Sequence, residues 1–133
     1  IYQDKLLALA KIARASTPLS HVDLTATLNN PVCGDRVTLS VALSGVVITD
    51  VFVAVKGCAL CEAGAGLLAS IALDKTCDDL ISTGSDIADW LREPGTNTPV
   101  SVTTIRNSIY NDQIIHLNIP LIFLCLIDPK YCN

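Results

Sequence analysis

Residues 30–73 read NPVCGDRVTLSVALSGVVITDVFVAVKGCALCEAGAGLLASIAL, and most of the fold can be worked out from them. Apolar and small polar residues alternate along 37–44, as in a strand with one buried face. A Ser-Gly turn leads into a second β-rich run over 46–56, so the two runs predict an antiparallel hairpin. The good helix formers and small residues of 58–73 then predict a helix that another element can approach closely.

The segments on either side add further elements. Apolar residues at helical spacing predict an amphipathic helix over 2–15. A short strand is expected over 23–28, before the hairpin. Beyond residue 73, one short helix is expected to begin near Thr76 and another at Ser85, with the serine as its N-cap. The apolar stretch within 105–132 fits either a buried helix broken by proline or an extended segment.

Together these elements predict an α+β fold: a three-stranded antiparallel sheet with helices packed on one face and a functional site at one exposed end. The chain has 133 residues. A chain of this size buries roughly two thirds of its unfolded surface, which is enough for a core. Because no repeat or boundary interrupts the pattern, we expect a single domain over 1–133.

Charge and hydropathy argue against two classes of partner. The net charge is −4 and the isoelectric point about 4.8, whereas a nucleic-acid-binding protein would carry a basic patch. The longest apolar run, IPLIFLCLI, is about half the length of a membrane-spanning helix. The six cysteines cluster in motifs instead of spreading through loops, so we expect a reducing, cytoplasmic environment with reduced or metal-bound thiols.

Two cysteines and one aspartate are expected to meet at one end of the hairpin. Cys33 and Asp35 lie in the loop that enters the first hairpin strand, and Cys58 follows the second strand and opens the helix. Because a hairpin brings the outer ends of its strands together, these side chains can converge. The positive end of a helix dipole favours a thiolate at the helix N-terminus. Sulfur together with a carboxylate oxygen suits Zn²⁺, or iron in a cluster with an exchangeable position.

The joint pattern resembles the U-type iron–sulfur cluster scaffolds, the NifU/IscU/SufU group. That family carries an NPxCGD loop, a hydrophobic hairpin, and a Gly-Cys pair followed by a helix of small residues. The opening YQDKLLALA also resembles the family's N-terminal helix, so the resemblance covers about residues 2–92. In the family the first cysteine, the aspartate and the second cysteine ligate metal or cluster. The resemblance therefore implies Cys33, Asp35 and Cys58 as ligands.

The family's third cysteine lies near the C-terminus, within Arg-x-x-Cys-x-x-Leu-Pro or after a histidine. Here QIIHLNIP has that spacing, with His116 in place of the cysteine and Gln113 in place of the arginine. In the alternative alignment His116 matches the family's histidine, and Leu117 replaces the cysteine. His116 is therefore the expected remaining ligand. Cys125, five residues after a proline, is its rival.

The other candidate residues have structural interpretations. Cys58-x-x-Cys61 could be a redox pair or half of a zinc site. Because the family usually has a small residue at the second position, we interpret Cys61 as a small helix residue. His21 is expected to have no specific role. The three carboxylates near 74–79 are interpreted as a solvated helix start favoured by the dipole. Small buried apolar positions are expected for the remaining thiols, Cys77, Cys125 and Cys132.

The resemblance implies a binding and transfer protein and not an enzyme. Such a protein would take sulfur from a cysteine desulfurase and hold zinc, iron or a transient [2Fe–2S] cluster. It would then pass the cluster to iron–sulfur acceptor proteins. Two alternatives remain: a degenerate member that acts through protein contacts, because a thiol is missing, and a zinc-dependent hydrolase. The hydrolase would use Cys33, Cys58 and His116 as its zinc ligands, and near the motif the sequence offers no general base beyond Asp35 and Glu62.

Overall fold

The computed structural model describes residues 2–29 and 34–92. The elements follow in the order α1 (Tyr2–Ala15), β1 (Leu24–Asn29), β2 (Arg36–Ser44), β3 (Val47–Lys56), α2 (Ala59–Ala72) and α3 (Cys77–Arg92). None of the helices in these two ranges is long and apolar enough to cross a membrane. The predictions of one domain over 1–133 and of the structure of 105–132 extend beyond the described residues.

The three strands form one antiparallel sheet in the order β1-β2-β3, which confirms the predicted α+β fold. Arg36 of β2 pairs with Lys56 of β3 at one end of the sheet. The loop that enters β2 and the chain that leaves β3 therefore lie at the same end. At the other end a two-residue turn joins β2 to β3, with Gly45 at a φ of +62°. Glycine adopts this left-handed conformation readily.

The two faces of the sheet differ in polarity. Val37 and Val53 point towards the helices and are almost fully buried against α2, in a core that includes Leu68. The opposite face carries small polar residues, joined across β1 and β2 by side-chain hydrogen bonds. One of these bonds links the hydroxyls of Thr27 and Thr38 at 2.9 Å. The most deeply buried valines thus lie on the inner face, as alternation along the strands predicts, while on the outer face Phe52 is half-buried beside Ser40.

A β-bulge lies between β2 and β3. The register shifts between Ala42 and Leu43, and the hydroxyl of Thr49 donates to the Ala42 carbonyl at 3.2 Å. The shift places Ile48 opposite Leu43, where it is fully buried. Without the extra residue, simple alternation from Val53 would have turned Ile48 to the outer face.

Helices α1 and α2 pack at very short range. Gly66 is buried, and a Cβ atom added there would overlap the main-chain oxygen of Leu9 on α1. The hydroxyl of Ser70 donates to the carbonyl of Gly66 at 2.8 Å, so the helix backbone is well bonded at this point. The guanidinium of Arg14 donates to the carboxylate of Glu62 and joins the same two helices at their surface. The prediction of a helix open to close approach is confirmed.

Helix α3 differs from the sequence-based prediction. The predicted helix start at Ser85 is wrong, because one continuous helix spans Cys77–Arg92 and Ser85 lies inside it. The start signal is one residue before the helix, at Thr76. Its hydroxyl accepts the N–H of Asp79 at 3.1 Å, and the Asp79 carboxylate accepts the N–H of Thr76 at 3.1 Å. This reciprocal cap resembles a capping box. Asp74 lies in the preceding turn at a φ of 65°, so its interpretation as part of a helix start is also wrong.

Candidate metal centre

The register of the sheet brings the loop before β2 against the chain that follows β3. Arg36 and Lys56 are the last paired residues at that end, so Asp35 and Gly57 come next to each other just beyond the pair. Cys58 follows directly and precedes α2. Residues more than twenty positions apart therefore meet because a short turn closes the hairpin at its far end.

Backbone conformation shapes the loop on the side of β2. Gly34 has a φ of +74°, in the left-handed region where a residue with a Cβ would be strained. Asp35 follows it as a half-buried residue and leads into β2. The glycine in the Cys-Gly-Asp motif thus allows the chain to turn immediately before the aspartate.

Cys58 occupies the N-cap position of α2. Its backbone is extended, with φ −75° and ψ 169°, and its carbonyl accepts the N–H of Glu62 at 3.0 Å. Its side chain makes no capping hydrogen bond and is exposed. The sulfur therefore lies at the positive end of the helix dipole without being used to cap the helix.

The thiol of Cys58 and the carboxylate of Asp35 are in direct contact. The thiol donates to Oδ2 of Asp35 across 3.6 Å. A tetrahedral zinc ion with a Zn–S distance of about 2.3 Å and a Zn–O distance of about 2.1 Å separates its two ligand atoms by about 3.6 Å. An ion can therefore take the place of the thiol proton with little movement of either side chain, so the donor pair fits a metal.

The other predicted ligands lie outside the described residues. Cys33, His116 and the rival Cys125 are among them. Within 2–29 and 34–92, no group of three or more histidine, cysteine, aspartate or glutamate side chains is placed to hold an ion. The structure thus brings together two members of the predicted set, Asp35 and Cys58. Further protein ligands would have to come from the rest of the chain.

The two other cysteines of the described ranges lie in the interior. Cys61 is completely buried in the core against α1 and the sheet, the packing expected of a small helix residue. Cys77 is half-buried and packs against a second apolar cluster that contains Ile48 and Leu80. Neither Cys58 nor these two forms a disulfide.

Sequence reasoning missed several contacts around the sheet. His21, for which no specific role is expected, makes a local contact at the protein surface: its Nε2 lies 2.8 Å from Oδ1 of Asp23. Oδ2 of Asp23 accepts the N–H of Leu43 at 2.6 Å, and this bond, followed by that to His21, lowers the pKa of Asp23. Asp23 precedes β1 at the end of the sheet remote from the candidate metal centre. A histidine two residues before an aspartate is the only signal for the first of these contacts.

A second missed contact lies close to the centre. Arg14 of α1 donates to Glu62, in the first turn of α2, and this bond raises the pKa of Arg14. The ion pair ties α1 to the turn that begins at Cys58. The two residues are 48 positions apart, so no local pattern could have indicated the pairing.

Comparison with known proteins places the chain in a family. The sequence profile of the NifU-like N terminal domain matches residues 1–111. No curated protein sequence shows significant similarity to the chain.

Two solved structures share the fold. A nitrogen-fixing NifU-like protein (N-terminal) from Brucella abortus is 23% identical, with 96% of this chain and 89% of that chain covered and a TM-score of 0.69. A candidate iron–sulfur cluster assembly scaffold protein for the SUF system from Fervidobacterium islandicum is 19% identical. The alignment covers 97% of this chain and 91% of that chain, with a TM-score of 0.73. With the profile match over most of its length, the chain belongs to the NifU-like N-terminal domain family.

Proposed function

We propose that this protein is a scaffold for iron–sulfur cluster assembly, with the cluster as its cargo. The observation that carries the proposal is the 3.6 Å contact between Cys58 Sγ and Asp35 Oδ2 at the exposed end of the sheet. The family match supports the same role. The proposed ligands are Cys33, Asp35, Cys58 and His116, which bind iron, zinc or a transient [2Fe–2S] cluster.

The chemistry of the described pair suits a cargo that must be released. A thiolate binds iron firmly, whereas the carboxylate of Asp35 is a hard ligand and holds soft, sulfur-bound iron less strongly. The Asp35 position is therefore the labile corner, at which an acceptor thiolate can enter. The exposure of Cys58 leaves the sulfur open to a partner protein.

The same exposure suits sulfur delivery from a cysteine desulfurase. In the proposed step the Cys58 thiolate attacks the outer sulfur of the desulfurase persulfide. A persulfide forms on Cys58, and the desulfurase cysteine leaves as a thiolate. Since only reduced thiols perform this exchange, we place the protein in a reducing compartment, the cytoplasm. The role is transfer between partner proteins and not turnover of a small substrate.

Anaerobic reconstitution with ferrous iron, cysteine and a cysteine desulfurase tests the proposal. The wild-type protein should acquire the visible absorption of thiolate-bound iron and pass the cluster to an apo-ferredoxin. Asp35→Ala should slow that transfer about tenfold, because it removes the exchangeable ligand at whose position the acceptor thiolate enters. Asp50→Ala, which removes an exposed carboxylate elsewhere on the sheet, is the matched control and should leave the transfer rate unchanged.

Two results would overturn the proposal. One is a wild-type protein that takes up neither metal nor cluster, which favours the degenerate member that acts through protein contacts. The other is unchanged transfer by the Asp35→Ala variant. Metal analysis of the native protein, repeated with His116→Ala, tests whether the histidine completes the site, since its loss should then lower the metal content.

A further inference from the structure

Gly57, which has no side chain to bind a metal, lies directly against the Asp35 carboxyl of the candidate metal centre. A Cβ atom built on Gly57 would stand 2.7 Å from Cγ and 2.8 Å from Oδ1 of Asp35. Real Cβ atoms essentially never lie within 3.0 Å of a heavy atom to which they are not bonded. The carboxyl group of Asp35 thus fills the space that a side chain at position 57 would need.

Backbone conformation does not explain this glycine. Gly34 and Gly45 have φ angles of +74° and +62°, and a Cβ added to either would meet no atom within 4 Å. Gly57 is outside the left-handed region, so a residue with a side chain can adopt its backbone without strain. Gly57 is also exposed, and among the described residues the three atoms nearest to the added Cβ all belong to Asp35.

We infer that Gly57 is a positioning residue for the metal centre: its missing side chain leaves the slot from which the Asp35 carboxylate reaches Cys58. The inference rests on the proposed function and deepens it. Gly57 makes no bond to the cargo and acts only through the orientation of Asp35. Any side chain at position 57 turns the carboxylate away from the sulfur.

The clash has one easy route of relief. The backbone at position 57 is held between the last sheet pair, Arg36 with Lys56, and the first hydrogen bond of α2. The Asp35 carboxyl, in contrast, moves by rotation about χ1 into another staggered position, which relieves the contacts at 2.7 and 2.8 Å and leaves only the 3.0 Å approach to Asp35 Cβ for a small shift to absorb. The side chain therefore yields and the backbone stays, so a methyl group at position 57 removes Asp35 from the centre without unfolding the protein.

Titration of the metal-free protein with Co²⁺ under anaerobic conditions tests the inference, because thiolate-bound Co²⁺ absorbs in the visible range. Gly57→Ala should weaken Co²⁺ binding about tenfold, the scale for loss of an orienting contact. Asp35→Ala should weaken binding by a similar or larger factor. The double variant Asp35→Ala/Gly57→Ala should bind no more weakly than Asp35→Ala alone, because the alanine at 57 then has no carboxylate to displace.

The Asp35→Ala background is the matched control for a general effect of the new methyl group. If Gly57→Ala weakens Co²⁺ binding by the same factor in both backgrounds, the inference is overturned. It is equally overturned if Gly57→Ala binds Co²⁺ as tightly as the wild-type protein.

A metal-free measurement separates this inference from the proposed function. Gly57→Ala should lower the melting temperature of the wild-type protein by about 3 °C and that of Asp35→Ala by clearly less, because only the Cβ of residue 35 then remains, 3.0 Å from the new methyl group. A wild-type protein that binds no Co²⁺ but shows this coupling would contradict the proposed function while confirming the contact. Equal shifts in both backgrounds would contradict the contact itself.

Discussion

Two glycines, Gly66 and Gly57, each leave room for a neighbour, but the neighbours differ in kind. Gly66 faces the main-chain oxygen of Leu9, whereas Gly57 faces the carboxyl group of Asp35. A main-chain oxygen moves only if helix α1 moves, so the Gly66 contact belongs to the fold. A carboxyl group moves by rotation of one bond, so the Gly57 contact belongs to the site.

Burial follows the same division. Around Gly66 the contact surface of α2 is closed, and Ala63, Ala65 and Leu68 are almost or completely inaccessible. At the other contact, Gly57 and Cys58 are exposed and Asp35 is half-buried. Close packing makes the Gly66 contact intolerant of added volume. At the Gly57 contact, in contrast, the carboxylate of Asp35 can be displaced while the protein remains folded. Substitutions at the two contacts should therefore have opposite effects on stability and on metal binding.

The largest expected effect is that of Gly66→Ala. The new methyl group would overlap the Leu9 carbonyl, so α1 and α2 must separate or bend, and the free energy of unfolding should fall by about 3 kcal/mol. Urea unfolding followed by circular dichroism measures this loss. A loss below about 0.5 kcal/mol would show that the helices separate easily, and would break the distinction between the two glycines.

A second variant sharpens the same test. Leu9→Ala shortens the side chain but leaves the carbonyl oxygen in place, so the double variant Leu9→Ala/Gly66→Ala should recover none of the stability lost at Gly66. Asp35→Ala, in contrast, should relieve most of the clash at Gly57, because the contacts with the carboxyl group at 2.7 and 2.8 Å are removed. Recovery of stability by Leu9→Ala would mean that the leucine side chain, and not the backbone, sets the helix distance.

Two cysteines at the N-terminal end of α2, the N-cap Cys58 and Cys61 in the first turn, extend the comparison. Cys61 is fully buried, so Cys61→Ala should lower the free energy of unfolding by about 1 kcal/mol through loss of packing. Cys58 is exposed, so Cys58→Ala should change it by less than about 0.5 kcal/mol. Metal binding should show the reverse order: Cys58→Ala loses it and folded Cys61→Ala keeps it. If folded Cys61→Ala loses metal binding as Cys58→Ala does, both cysteines of the Cys-x-x-Cys pair are ligands and the comparison fails.

Sequence patterns predicted the elements well where local physics decides them. Alternation along 37–44 and the small residues of 58–73 were enough for the hairpin and for α2. The misplaced start of α3 has a local cause as well: Ser85 looks like an N-cap, but a helix already capped at Thr76 simply continues through it. The bulge that turns Ile48 inward adds one residue to β3. A prediction from strict alternation cannot include such an extra residue, so it places Ile48 on the wrong face.

The candidate site was predictable only as a set of residue types. The motif identified Asp35 and Cys58, and the hairpin indicated that they could meet. Their separation and the slot at Gly57 depend on the register of Arg36 with Lys56. A change of one residue in that register would move the aspartate away from the cysteine, so these distances emerge only from the assembled sheet.

The smallest expected effect concerns the aspartate that precedes β1. Asp23 accepts hydrogen bonds from the N–H of Leu43 and from His21, and these lower its pKa below the ordinary value of an aspartate. A carboxyl whose pKa is depressed in the folded state stabilises the protein above its unfolded pKa, and this contribution is lost as the pH falls through the folded pKa. Wild-type protein should therefore melt at a higher temperature than Asp23→Asn at pH 6, and the two should converge towards pH 2.

Asp79 serves as the internal reference for that experiment. Its pKa is also lowered, chiefly by the backbone N–H of Thr76, so it contributes to acid sensitivity in both proteins and cancels from their difference. Melting temperatures measured by circular dichroism between pH 2 and pH 6 give the difference directly. If the melting temperatures of the two proteins differ by the same amount at every pH, the hydrogen bonds of Asp23 to Leu43 and His21 do not stabilise the folded protein.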